Sequence, residues 1–157
     1  ELTEVVYEGF APGGVAVVLQ ALTDNKLRTT QKVREVFDKN GGTFGGSGAV
    51  GYLFSQIGEL RIMNKELGDE DELKLIDLGA LEIERGEGEW AVYCQKDKLF
   101  EVKEGLEKMG YEIVGAELVM KPVAEMAVAE GMRERVESLL SKLWDLDDVV
   151  KVWSNYA

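Results

Sequence analysis

Gly48-Ala49-Val50-Gly51-Tyr52-Leu53-Phe54-Ser55-Gln56-Ile57-Gly58-Glu59-Leu60-Arg61-Ile62-Met63 is the stretch on which the fold turns. Gly48 to Phe54 has the apolar and aromatic content of a strand. Glu59 to Met63 alternates polar and apolar, as a half-buried strand does. Gly58 between them supplies a turn, so the two runs are predicted to form a hairpin. Upstream, Thr29 to Asn40 predicts a helix with Thr30, Val33, Val36 and Phe37 on one face. Thr29 or Thr30 can cap its start, and Gly41-Gly42 ends it. Val15-Ala16-Val17-Val18-Leu19 is apolar at every position, the pattern of a central strand buried on both sides. Pro12-Gly13-Gly14 before it makes a turn, and Val5-Val6-Tyr7 is a short β-prone run.

Downstream, residues 69–79 read as an acidic helix with Asp69 as its cap. Ala80 to Glu84 and Glu89 to Cys94 read as strands. Leu99, Val102, Leu106 and Met109 mark a helix, and Ile113 to Met120 a strand. Met132, Val136, Leu139, Leu140 and Leu143 give the clearest helical stripe, before a final strand from Val149 to Trp153. Without residues 66–122 the order is β-α-β-β-α-β, the split-βαβ arrangement of ferredoxin-like domains. The expected fold is therefore α+β. A discontinuous ferredoxin-like domain (1–65 plus 123–157) would receive a second small α/β domain (66–122) as an insertion.

Charge supports the same division. Residues 1–65 carry 7 basic and 7 acidic groups, residues 66–122 carry 7 and 16, and residues 123–157 carry 4 and 7. The net charge of −12 argues against this chain as the main grip on nucleic acid, because such affinity comes largely from cations that neutralise phosphates. No apolar run approaches the roughly 20 residues needed to span a bilayer. The chain opens Glu1-Leu2-Thr3-Glu4, with neither a starting Met nor a basic n-region, so it is read as a fragment without a signal peptide. The single cysteine, Cys94, suits a reducing compartment.

Catalytic chemistry finds little support. The chain has no His, which removes His-based triads, His general bases and His zinc sites. Cys94 reads as a small core residue, and Asp69 to Glu72 as a solvated helix face without the ligand spacing of a calcium loop. The glycine-rich run Gly41 to Gly48 leads from helix to strand, opposite to a phosphate loop, and lacks the Gly-Lys-Ser/Thr ending. No cofactor, metal site or small-molecule substrate is implied. One basic cluster remains: Lys26, Arg28, Lys32, Arg34 and Lys39. Asn25 to Thr29 reads equally as a phosphate-contacting helix start or as an ordinary polar one. Pro12, Gly13 and Gly14 offer bare backbone that a ligand can approach closely.

These motifs carry a resemblance. Tyr7-Glu8-Gly9-Phe10-Ala11-Pro12-Gly13-Gly14-Val15-Ala16-Val17 resembles the YEGYGPGGVA-type segment of YebC-like proteins. Leu22 to Thr29 resembles their LTDNxxRT motif. Val33-Arg34, Phe37 and Lys39-Asn40-Gly41-Gly42 resemble their VRxxFxKxGG helix and stop. Gly48-Ala49-Val50 with Phe54 resembles GSVxxxF, and Leu146-Asp147-Asp148-Val149 with Val152 and Ser154-Asn155 resembles the closing LDDVxxVxxN. The resemblance implies a non-enzymatic regulator of gene expression: a DNA-binding transcriptional regulator like the member PmpR, in the cytoplasm. The alternative is a ribosome-associated translational activator binding RNA, like the relative in the mitochondrial matrix that activates synthesis of cytochrome c oxidase subunit one. It also implies a basic N-terminal helical domain that is not in this sequence, so the fragment alone is expected to bind weakly. Contacts to nucleic acid or a partner are assigned to Pro12, Gly13, Gly14, Asn25, Lys26, Arg28, Thr29, Lys32 and Arg34. Two positions depart from the pattern. Lys32 stands where a capping carboxylate is usual, and Ala127-Val128-Ala129 replaces a more acidic stretch.

Overall fold

A computed structural model of the chain describes residues 1–63 and 68–157. It divides into two compact units, one formed by Glu1–Ser55 with Met120–Ala157 and the other by Gln56–Val119. The expected boundary between residues 65 and 66 lies outside the described residues. Both units are α+β.

The first unit contains β1 (Thr3–Ala11), β2 (Val15–Thr23), α1 (Lys26–Lys39), β3 (Thr43–Gly45), α4 (Glu130–Trp144) and β8 (Val149–Ser154). Its sheet order is β3-β1-β2-β8, and each neighbouring pair is antiparallel. β2 is central, as its unbroken apolar run predicts. Val15, Val17, Leu19 and Ala21 enter the core beneath the helices, with Val33 and Phe37 of α1 and Val136, Leu139 and Leu143 of α4. The alternate residues Ala16 and Val18 face the other way, against Val50, Phe54 and Trp153. The β-prone run at Val5 is part of a full strand: β1 pairs with β2 from Thr3↔Thr23 to Ala11↔Val15.

The second unit contains β4 (Phe54–Met63, which begins at the junction), α2 (Asp69–Leu78), β5 (Ala80–Arg85), β6 (Glu89–Gln95), α3 (Leu99–Lys108) and β7 (Ile113–Pro122). Its sheet order is β5-β6-β4-β7. Strand order and element order together are those of the split-βαβ, ferredoxin-like arrangement. Its core joins Leu60, Ile62 and Val92 of the sheet to Leu75 of α2 and to Val102 and Leu106 of α3.

The expected βαββαβ order thus falls on the inner unit, because the hairpin read into residues 48–63 does not form. Residues 51–53 make a single turn of 3-10 helix, and Phe54–Met63 runs on as one strand paired with β6. Gly58 does not turn the chain. It lies opposite Cys94 in the ladder, and a Cβ there would sit 2.8 Å from the Cys94 sulfur and 2.9 Å from Leu99 Cδ1. A glycine inside a strand can mark close packing as well as a turn, and here it marks packing. The helix ends also differ in detail. α1 starts at Lys26 with Asn25 as its cap, while Asp69 is the first residue of α2, preceded by Gly68.

Candidate nucleic-acid interface

The start of α1 is held by a relay of hydroxyl and carboxylate groups. Asn25 Oδ1 accepts the Arg28 backbone N–H at 3.1 Å, satisfying one of the free donors at the helix end. The Asn25 backbone N–H donates to Thr23 Oγ1 at 2.9 Å. The Thr23 and Thr29 hydroxyls are 2.7 Å apart, and Thr29 Oγ1 is also 2.7 Å from Asp148 Oδ2. An ionised carboxylate can only accept, so Thr29 donates to Asp148 and its oxygen receives the Thr23 proton. Thr23 and Thr29 are each 1% exposed, so the relay is internal. The Thr29 hydroxyl does most to hold the Asp148 carboxyl below its ordinary pKa. Partial desolvation opposes it, and the Arg28 guanidinium reinforces it.

Arg28 is committed as well. Its guanidinium lies 3.0 Å from Asp24 and 3.5 Å from Asp148. Asn25 and Thr29 therefore cap and pin α1, and Arg28 adds exposed ion pairs to Asp24 and Asp148. Lys26, Lys32 and Arg34 are also exposed on α1. Arg34 stacks its guanidinium 4.8 Å from the centre of the Phe44 ring, an arrangement that leaves its edge donors accessible.

Pro12–Gly14 is a tight connection between β1 and β2. Pro12 is buried, while Gly13 and Gly14 take φ of 80° and 84°, which side chains disfavour. A Cβ on Gly13 would lie 3.1 Å from Val128 Cγ1, and one on Gly14 would lie 3.5 Å from the Met126 methyl. Both glycines are themselves exposed, and their positive φ, with Val128 close to Gly13, is what favours glycine at these positions.

The second glycine-rich run closes around a carboxylate from within the protein. Glu8 Oε1 accepts the Val50 and Gly51 N–H groups at 2.8 and 2.6 Å, and Oε2 accepts Gly48 N–H at 2.9 Å. Successive N–H groups aimed at one point form an anion-binding concavity, here filled by Glu8. Desolvation alone would raise the Glu8 pKa, but the three donors outweigh it and hold it below the ordinary glutamate value. Cys94 is buried, and desolvation, followed by the field of Asp97, raises its pKa, which favours the unreactive thiol.

Sequence reasoning missed two groups, Glu8 and Asp148. Its place in the Tyr7 to Val17 motif was the available signal for Glu8. For Asp148 the signal was the Leu146 to Val149 motif, but its partners lie 119 and 120 residues away and no local pattern names them. A third feature is a cavity of about 450 Å³ between the end of α1 and the first half of α4, where Lys39 and Asn40 face Arg135 and Ser138. No helix among the described residues is long and apolar enough to cross a membrane.

A family model described as the second and third domains of TACO1/YebC matches residues 2–156. A probable transcriptional regulatory protein of Aquifex aeolicus is 44% identical over 99% of this chain and 64% of its own length. One from Listeria monocytogenes is 43% identical over 97% of this chain and 64% of its own length. The crystal structure of a conserved hypothetical protein from Aquifex aeolicus superimposes with a TM-score of 0.90 at 43% identity, covering 99% of this chain and 65% of that one. The chain spans just under two thirds of the length of these relatives.

Proposed function

Because this chain belongs to the TACO1/YebC family, whose second and third domains it comprises, we propose that it is the two-domain part of a DNA-binding transcriptional regulator that acts by binding and not by catalysis, in the cytoplasm. The observation that carries this is the agreement of relatives about 40% identical over nearly the whole chain, which share the description of probable transcriptional regulatory proteins. The chemistry of the chain is compatible with a binding role. It has no His, and its one thiol is buried with a raised pKa.

A net charge of −12 supports placing the main electrostatic grip outside this chain, in the rest of a longer protein. Of the residues assigned from sequence, Lys26, Lys32 and Arg34 are exposed side chains that could add contacts. Asn25, Thr29 and the Pro12–Gly14 turn hold their backbone in place. A gel-shift comparison of the native full-length protein with residues 1–157 tests the division. The expected result is a shift with the full-length protein and little with the fragment at 0.1 M salt. Equal shifts overturn the division of labour. Cosedimentation with ribosomes without any DNA shift overturns DNA in favour of RNA.

A further inference from the structure

The cavity beside the end of α1 lies outside the nine residues assigned from sequence. Arg135, Ser138 and Lys142 lie at i, i+3 and i+7, one stripe of α4. The stripe runs alongside Asn40 and Gly41, where α1 ends. Lys142 Nζ donates to Asn40 Oδ1 at 2.7 Å, a neutral acceptor, and Asn40 in turn donates to the Val36 carbonyl. Arg135 donates to the Met132 thioether at 3.6 Å and has no ion pair among the described residues. Its guanidinium rests on Gly41, where an added Cβ would lie 2.6 Å from Nη2. Lys39, on the other wall, is paired with Glu35 at 2.8 Å, and Glu134 is the one carboxylate among the described residues that line the cavity. Arg135 and Lys142 are both exposed and, among the described residues, neither is ion-paired with a carboxylate, in a chain of net charge −12.

We propose that this cavity, with Lys142 at its edge against the wall residue Asn40, is a contact site for the phosphate backbone of duplex DNA, with Arg135 and Lys142 as the cationic groups and Ser138 as a hydroxyl donor. The proposal rests on the DNA-binding reading above. Charge complementarity favours a phosphate, and length favours a polymer. Seven residues of helix separate the two cations by about 10 Å, or roughly three steps of one strand at 3.4 Å each. That separation suits two phosphates about three steps apart on one strand better than one small anion.

The test uses the native full-length protein, a labelled 20-base-pair duplex, an RNA of equal length, and a series of salt concentrations. Arg135→Gln with Lys142→Gln should weaken DNA binding about tenfold at 0.1 M salt. It should also flatten the dependence of log K on log salt by about one to two, since each lost phosphate contact removes about 0.9. Arg135→Lys should keep the slope. Unchanged affinity and slope in the double variant, with the unmodified protein still binding, overturn this site alone. A lowered melting temperature without a change in slope does so too, reducing Arg135 to a cap for α1. Inorganic phosphate binding that depends on Arg135, without an effect on DNA, assigns the cavity to a small anion and also overturns the site. Variant-sensitive binding to RNA only overturns the assignment to DNA. No binding of either polymer by the unmodified protein overturns the underlying reading.

Discussion

Thr29 and Glu8 illustrate how much of a glycine- and threonine-rich motif can be structural. Thr29 passes a proton-donor chain from Thr23 to Asp148 while 1% exposed. Thr29→Val preserves shape but leaves the Thr23 hydroxyl without its acceptor and Asp148 without its nearest donor. The expected cost is about 1–3 kcal/mol, read from urea unfolding. Glu8 accepts three backbone N–H groups through an ionised carboxylate. Glu8→Gln turns one acceptor atom into a donor facing N–H, and at pH 7 it should cost about 1.5–3 kcal/mol. The folded pKa of Glu8 lies below its ordinary value of 4.5, so the folded state binds fewer protons there than the unfolded one. Its stabilisation is complete above the unfolded pKa and is lost as pH falls through the folded pKa. Unfolding curves for the two proteins should therefore converge in acid and separate toward neutrality. A gap that stays constant with pH would remove the carboxylate's charge from the explanation.

Among the elements, α1 and β4 depend on features that look alike in sequence and act differently in space. α1 begins where Asn25 supplies its cap, and Asn25→Ala should cost about 1 kcal/mol, measured in the same unfolding assay. An unchanged midpoint would mean that the Thr23–Thr29–Asp148 relay suffices to start the helix. β4 runs through Gly58 because the space above that residue is filled by Cys94 and Leu99. Gly58→Ala should overpack the inner core and cost about 1–3 kcal/mol. A neutral effect would favour a turn-like, open environment at Gly58 and contradict the continuous ladder from Ile57↔Gln95 to Met63↔Glu89.

Taken as a whole, the molecule separates a strongly acidic unit from one closer to neutral. Gln56–Val119 holds 8 basic and 17 acidic residues, against 10 and 13 in the remainder. A net −9 on so small a unit is self-repulsive, and salt screens such repulsion. The segment from Phe54 to Pro122 contains a complete four-stranded sheet and its own core, with Trp90 as its single tryptophan. Expressed alone, it should unfold in one cooperative transition by Trp90 fluorescence, with a midpoint that rises between 0.05 and 0.5 M NaCl. A midpoint that falls with salt would show that pairs such as Arg85 with Glu72, 2.8 Å apart, outweigh the net repulsion.

Local pattern was enough for the features that depend on burial. The apolar run Val15 to Leu19 marked the central strand buried on both faces, and the stripe through Val136, Leu139 and Leu143 marked the helix that covers it. The α+β class, the acidic middle and the family resemblance were legible for the same reason, since each is carried by residue order and type. Partner choice was not legible. Whether Phe54–Met63 joins the outer or the inner sheet depends on which strand takes its backbone hydrogen bonds, and periodicity records burial without naming that strand. Whether Arg28 is available to a phosphate depends on Asp148, 120 residues later, which only the folded chain brings within 3.5 Å. Arg135 and Lys142 lie outside the motif that drew attention to Arg28. They became notable only once α1 and α4 were side by side and the carboxylates nearby were counted.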